Sequence, residues 1–162
     1  MSTTFYKPFP VISVEGDAHA CGVQHGERAA ERVAKTIDFY LGVFGRRSGL
    51  TLDDVRERAR AFLLQIEAID SAIAAELRGI AVGARQQLED IVAVNCRTEL
   101  MYGASRGNRA ATECTTIVAL PSATRNKGLI VGKNWDWRSP VVDSIVLLRV
   151  RQTDKPALSL IV

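Results

Sequence analysis

The spacing of apolar residues changes character twice along this chain. Residues 9–15 (FPVISVE) interleave Phe, Val-Ile and Val with polar neighbours and predict a first strand. From residue 18 to residue 44, Val23, Val33, Ile37, Tyr40, Leu41 and Phe44 recur at mostly three- and four-residue steps. That period predicts one long amphipathic helix, capped by Asp17, with Glu27, Arg28, Glu31, Arg32 and Lys35 on its solvated side. Residues 45–49, bounded by two glycines, should end it. Thr51 and Asp54 have the spacing of a capping box, Asp standing for the usual Glu, ahead of a helix over 52–69. A further helix is expected over 71–78, and the small-residue run 79–84 (GIAVGA) predicts backbones in close approach. Leu88 opens a last helix through Ile91, Val94, Thr98 and Met101. Residues 103–113 (GASRGNRAATE) read as an exposed, flexible loop.

Beyond that loop the period shortens. Residues 115–120, 129–132, 144–150 and 157–162 predict four more strands, with turns at 121–128 and 152–156. The expected fold class is α+β, with four helices packed on one face of a mostly antiparallel sheet. Residues 1–113 should form a mainly helical segment with one N-terminal strand, and 114–162 the start of the sheet, within one structural domain. The chain stops inside an apolar run, LSLIV at 158–162, an edge that natural domains rarely leave bare. That ending predicts a truncated chain.

Composition narrows the classes of function. A chain of 162 residues, 47% hydrophobic and 24% charged, is globular and can bury about 70% of its unfolded surface. Its net charge of +3 comes without the dense basic stripe of a nucleic-acid reader, so no nucleic-acid partner is expected. No apolar run approaches the ~20 residues that span a bilayer, so no membrane partner is expected either. The first ten residues lack a secretory h-region. The three cysteines, Cys21, Cys96 and Cys114, cannot all pair and lack metal-type spacing, which suits a reducing cytoplasm.

Cys114 stands where loop gives way to strand. A thiol is a strong nucleophile once a base or a depressed pKa makes it thiolate, yet the histidines, His19 and His25, lie far upstream in sequence. Cleavage of the peptide bond before Cys114 would supply a base on the same residue, an α-amine of pKa ~7.7–8. A buried structural thiol is the competing reading. Downstream, the segment Gly132-Lys-Asn-Trp-Asp-Trp137 places Trp135 and Trp137 on either side of Asp136. Indoles build the walls of apolar pockets, and Asn134 and Asp136 offer an amide and a carboxylate beside a nucleophile. Other features carry less. Residues 128–133 miss the phosphate-loop spacing. Cys21 and His25 share a helix face, but two ligands do not make a zinc site, so no metal is expected. His25 should bond nearby backbone, Cys96 should be core, and Arg97 with Glu99 should form a buried or half-buried polar pair.

These residues carry a resemblance. Glu113-Cys-Thr-Thr116 followed by Gly-Lys-Asn-Trp-Asp-Trp137 resembles the acyl-coenzyme A:6-aminopenicillanic acid (isopenicillin N) acyltransferase family, whose precursors cut themselves before a Cys in a Gly-Cys-Thr-Thr-like motif. Three helical segments agree: Cys21-Gly-Val-Gln-His-Gly26, Leu77-Arg-Gly-Ile-Ala-Val-Gly-Ala84 and Asn95-Cys-Arg-Thr-Glu-Leu100. The resemblance implies an N-terminal-nucleophile (Ntn) hydrolase, here an incomplete form of its αββα sandwich. It implies Cys114 as nucleophile with its freed amine as base, and autocleavage at the Glu113–Cys114 bond. It also implies Thr116, Asn134 and Asp136 in support, with Trp135 and Trp137 lining the acyl pocket. The substrate would be a small-molecule amide or acyl thioester, with acyl-CoA a co-substrate at most and no cofactor.

Two departures accompany it. Glu113 stands where Gly precedes the nucleophile in the best-known members. The family's oxyanion Asn and substrate-binding Arg, on later strands, have no position in these 162 residues. Two rival readings therefore stay open. One is a catalytically inactive truncated α/β fragment that folds by pairing with missing strands, in a partner chain or a homo-oligomer. The other is a non-enzymatic helical binding module in which Cys114 is core.

Overall fold

A computed structural model describes residues 9–103, 114–136, 139–153 and 155–161, with 158–161 described by backbone only. In chain order the elements are β1 (Val11–Gly16), α1 (Ala18–Arg28), α2 (Ala30–Ser48), α3 (Leu52–Ile69), α4 (Ser71–Ala84), α5 (Leu88–Asn95) and α6 (Arg97–Tyr102), then β2 (Cys114–Ala119), β3 (Ile130–Trp135), β4 (Leu147–Gln152) and β5 (Leu158–Ile161). The fold class is α+β, as expected. The chain divides into two compact units: the described residues of 1–105 together with those of 143–162, and the described residues of 106–142.

In the first unit a three-stranded sheet runs in the order β1-β4-β5. β4 and β5 pair antiparallel across a short turn, whereas β1 and β4 are parallel. Parallel neighbours need a long crossover, and the six helices lie between these two strands in sequence. Ile12 and Val14 of β1 and Leu148 and Val150 of β4 share one face and join Cys21, Ala29 and Val146 in a buried cluster. The alternate residues Val11, Ser13, Glu15, Arg149 and Arg151 are exposed, as a half-buried sheet requires. Ile145 and Val146 are buried but precede the ladder, so the apolar run expected as strand from 144 forms pairs only from Leu147.

The helices depart from expectation by being broken where no Pro or Gly marks a break. The helix foreseen over 18–44 bends at Ala29 (φ −115°, ψ 15°) and continues to Ser48, where Gly49 closes it in the left-handed region at φ 66°. Likewise the helix begun at Leu88 is interrupted at Cys96 (φ −98°, ψ 26°). Both bends keep their donors satisfied, Ala29 N–H on the His25 carbonyl and Cys96 N–H on that of Val92, each at 2.9 Å. A one-residue bend of this kind leaves apolar periodicity almost unchanged, which is why the pattern reads through it.

The close approach foreseen at 79–84 occurs against α1. A Cβ placed on Gly22 or Gly26 would collide with the α4 carbonyls of Glu76 or Ile80. One on Gly79 or Gly83 would collide with the α1 carbonyls of His19 or Val23. Two i,i+4 glycine pairs thus interlock, and α4 runs unbroken through them instead of ending at Arg78. On the far side, Arg56 of α3 grips Asp90 of α5 through two hydrogen bonds, Nε to Oδ1 at 3.0 Å and Nη2 to Oδ2 at 2.8 Å. Arg97 is half-buried, donates to the Val94 carbonyl at 3.2 Å and lies 5.7 Å from the Tyr40 ring centroid. Glu99, expected beside it in a buried or half-buried polar pair, is exposed. No helix of the described residues is long and apolar enough to cross a membrane.

Candidate active site

The second unit is built on a β-hairpin. β2 and β3 pair antiparallel around a connection in which Thr124 Oγ1 donates to the Gly128 carbonyl at 2.7 Å, and Lys127 takes a positive φ of 54°. β-branched Thr115, Thr116, Ile117 and Val118 favour the extended ribbon. The register sets Cys114 opposite Trp135, Thr115 opposite Asn134 and Thr116 opposite Lys133.

Residues directly opposite each other share a face, and successive residues alternate. Cys114, Thr116, Lys133 and Trp135 therefore occupy one face of the ribbon. Thr115 and Asn134 occupy the other. The pairing thus joins the nucleophile candidate to the first indole and to the Thr116 hydroxyl, but turns the Asn134 amide away from the thiol. Asp136 follows Trp135 directly, beyond the last paired residue. Trp137 and residues 104–113, which include Glu113 and all but the first residue of the loop expected over 103–113, lie outside the described residues. Lys133 was not singled out in the sequence. Counting back by two from Trp135 on a strand ending there would have found it.

The three thiols differ in setting. Cys114 is exposed, Cys21 buried and Cys96 half-buried. Burial pushes the Cys21 thiol up, and the carboxylates of Glu76, Asp17 and Glu15 push the same way; its Sγ lies 3.6 Å from the Gly16 carbonyl oxygen. Burial and then Glu99 raise the Cys96 thiol. Both are poor thiolates near neutral pH. Burial also pushes His25 below its ordinary range, and the backbone bond expected of it is not made by Nδ1, which has no partner among the described residues.

An exposed thiol at the head of a β-strand, opposite an indole and with a hydroxyl on the same face, is the arrangement of a candidate cysteine nucleophile in an α+β protein. No family model matches the chain. It is 28% identical over 150 residues, 93% of its length, to the acyl-coenzyme A:6-aminopenicillanic-acid-acyltransferase 40 kDa form of Emericella nidulans. The resemblance carried by four short motifs is thus matched by similarity along nearly the whole chain. The chain spans 40% of the length of that relative.

Proposed function

We propose that this chain carries the nucleophile of a cysteine acyltransferase or amidohydrolase of the Ntn type, acting on a small-molecule amide or acyl thioester. The observation that carries the reading is the exposed Cys114 at the first residue of β2, opposite Trp135 and on the same face as Thr116. It stands in a chain similar to an acyltransferase. Maturation would begin with attack of Cys114 Sγ on the Glu113 carbonyl carbon. The C–N bond breaks, the acyl group passes to sulfur, and water then hydrolyses the thioester to leave a Glu113 carboxylate and a free Cys114 amine. That amine, with a pKa of ~7.7–8, is about one quarter neutral near physiological pH and can take the thiol proton.

In turnover Sγ would attack the substrate carbonyl, the leaving amine or thiol departing with the proton held by the Cys114 amine. An acceptor amine or water then attacks the acyl-enzyme and returns its proton to that amine. Thr116 shares the thiol's face and can hydrogen-bond near sulfur. Asp136, next to Trp135, supplies a carboxylate at the strand end. Trp135 and Trp137 would wall the acyl side. Asn134, on the other face, would act on the nucleophile only through its strand pairing with Thr115.

Alkylation by iodoacetamide, mapped by peptide mass at pH 7–8, tests the nucleophile directly. Cys114 should react well ahead of Cys21 and Cys96. Equal reactivity of the three, or a resistant Cys114, would remove the basis of the reading.

A second reading is favoured by the hairpin itself. Ile117 (69% exposed), Val131 (60%) and Trp135 (41%) leave apolar surface open on both its faces. A two-stranded ribbon of that kind is marginal alone. The site would then stay silent until further polypeptide covers it.

A further inference from the structure

The two ends of the three-stranded sheet are treated differently by the rest of the fold. β1 lies at one end of the order β1-β4-β5. Leu147 N–H donates to the Pro10 carbonyl and Thr153 N–H to that of Gly16, both at 2.9 Å. Backbone groups of a strand alternate in direction, so the even-numbered residues of β1 turn their N–H and C=O toward β4. Val11, Ser13 and Glu15 turn theirs to the open edge.

Side chains of α1 meet that edge. Gln24 Oε1 accepts from Glu15 N–H at 3.3 Å, and Gln24 Nε2 donates to the Glu15 carbonyl at 2.6 Å. A side-chain amide thereby makes the two bonds that a neighbouring strand would make. Gln24 Nε2 also donates to the Ala20 carbonyl at 3.1 Å, which fixes the amide on its own helix. One turn on, Arg28 Nη1 donates to the Ser13 carbonyl. One turn further, past the bend at Ala29, Arg32 Nη1 donates to the carbonyls of Asp143 and Ile145, at 3.1 Å for the latter, on the approach to β4. Arg28 and Arg32, whose spacing puts them on the solvated side of the helix, are thus engaged with backbone. They form with Gln24 an i, i+4, i+8 row over backbone carbonyls.

We propose that Gln24 and Arg28 close the β1 edge to strand addition, so that the sheet can be extended by another strand only from β5. An unprotected edge is a template for pairing with a further chain, and charged or polar groups laid along it are a known remedy. The inference is independent of the role given to Cys114, since none of these residues belongs to the hairpin.

The test compares the wild-type chain with Gln24→Ala/Arg28→Ala by light scattering over a concentration series, with amide hydrogen exchange on the same samples. The variant should self-associate about tenfold or more tightly, having freed three edge groups worth a modest bond each. Its Ser13 and Glu15 amides should become protected as concentration rises. Gln24→Met/Arg28→Met, which keeps the helix and the apolar stems, should behave alike if the alanine pair folds poorly. In the wild type alone, the Glu15 amide, held by Gln24, should exchange more slowly than the Ser13 amide on the same edge. Unchanged association in both variants, association without protection at β1, or equal exchange of Ser13 and Glu15 in the wild type would each overturn the proposal.

Discussion

At the scale of single residues, the least exposed charge among the described residues is Asp90, whose side chain is 6% exposed against 31% for its partner Arg56. That asymmetry predicts unequal costs for breaking the pair. Arg56→Met strands a buried carboxylate and should cost about 3 kcal/mol. Asp90→Asn keeps one hydrogen bond and leaves a guanidinium that can turn to water, so about 1–2 kcal/mol is expected. Urea midpoints at pH 7 read both values, and the reverse order would contradict the account. The pair was not legible in sequence, because Arg56 and Asp90 sit on different helices and only the packing of α3 on α5 brings them together.

His25 makes a prediction in pH. Its folded pKa lies below the ordinary 6.5 because burial disfavours the cation. Below pH 6.5 the unfolded chain therefore takes up a proton that the folded chain refuses, and stability falls with acidification. Glu76, raised above 4.5 by burial, works the opposite way, since its folded form holds the proton more tightly as pH rises through that range. The wild type should thus lose stability on acidification from pH 7.5 through 6.5 relative to His25→Leu, along a slope that cannot exceed ~1.4 kcal/mol per pH unit for one proton. Parallel stability curves for the two proteins would count against a buried neutral His25.

At the scale of elements, local rules read well and pairing did not. The capping box at Thr51 and Asp54 is present in both directions, Thr51 N–H on Asp54 Oδ2 at 2.8 Å and Asp54 N–H on Thr51 Oγ1 at 3.2 Å. The helix behind it spans Leu52–Ile69, the residues foreseen. Such signals are confined to a few neighbouring residues. The face on which Asn134 stands depends on which residue of β2 lies opposite it, and no local pattern carries that.

The interlocked glycines yield a graded prediction. Gly79→Ala or Gly83→Ala drives a methyl into backbone that cannot yield, and should cost about 3 kcal/mol by prising α1 from α4. Gly45→Ala, whose Cβ would meet only the Leu50 carbonyl at 3.8 Å, should stabilise α2 by about 0.5–1 kcal/mol. Thermal midpoints of the three variants read the contrast, and similar losses at all three positions would sink it.

At the scale of the whole molecule, the sequence held the α+β class, the helical stretch and the four motifs of the resemblance, because each follows from periodicity or from short strings of residues. The parallel pairing of β1 with β4 and the cover that Gln24 and Arg28 of α1 lay over the β1 edge were hidden, since both join residues brought together only by the fold. The central claim concerns Cys114. An intact-mass spectrum of the purified chain beside its Cys114→Ala variant tests it most directly. The account predicts two fragments from the parent that meet at Glu113–Cys114, and a single uncut chain from the variant. A single uncut mass from both, or the same cut in both, would contradict self-cleavage by this thiol.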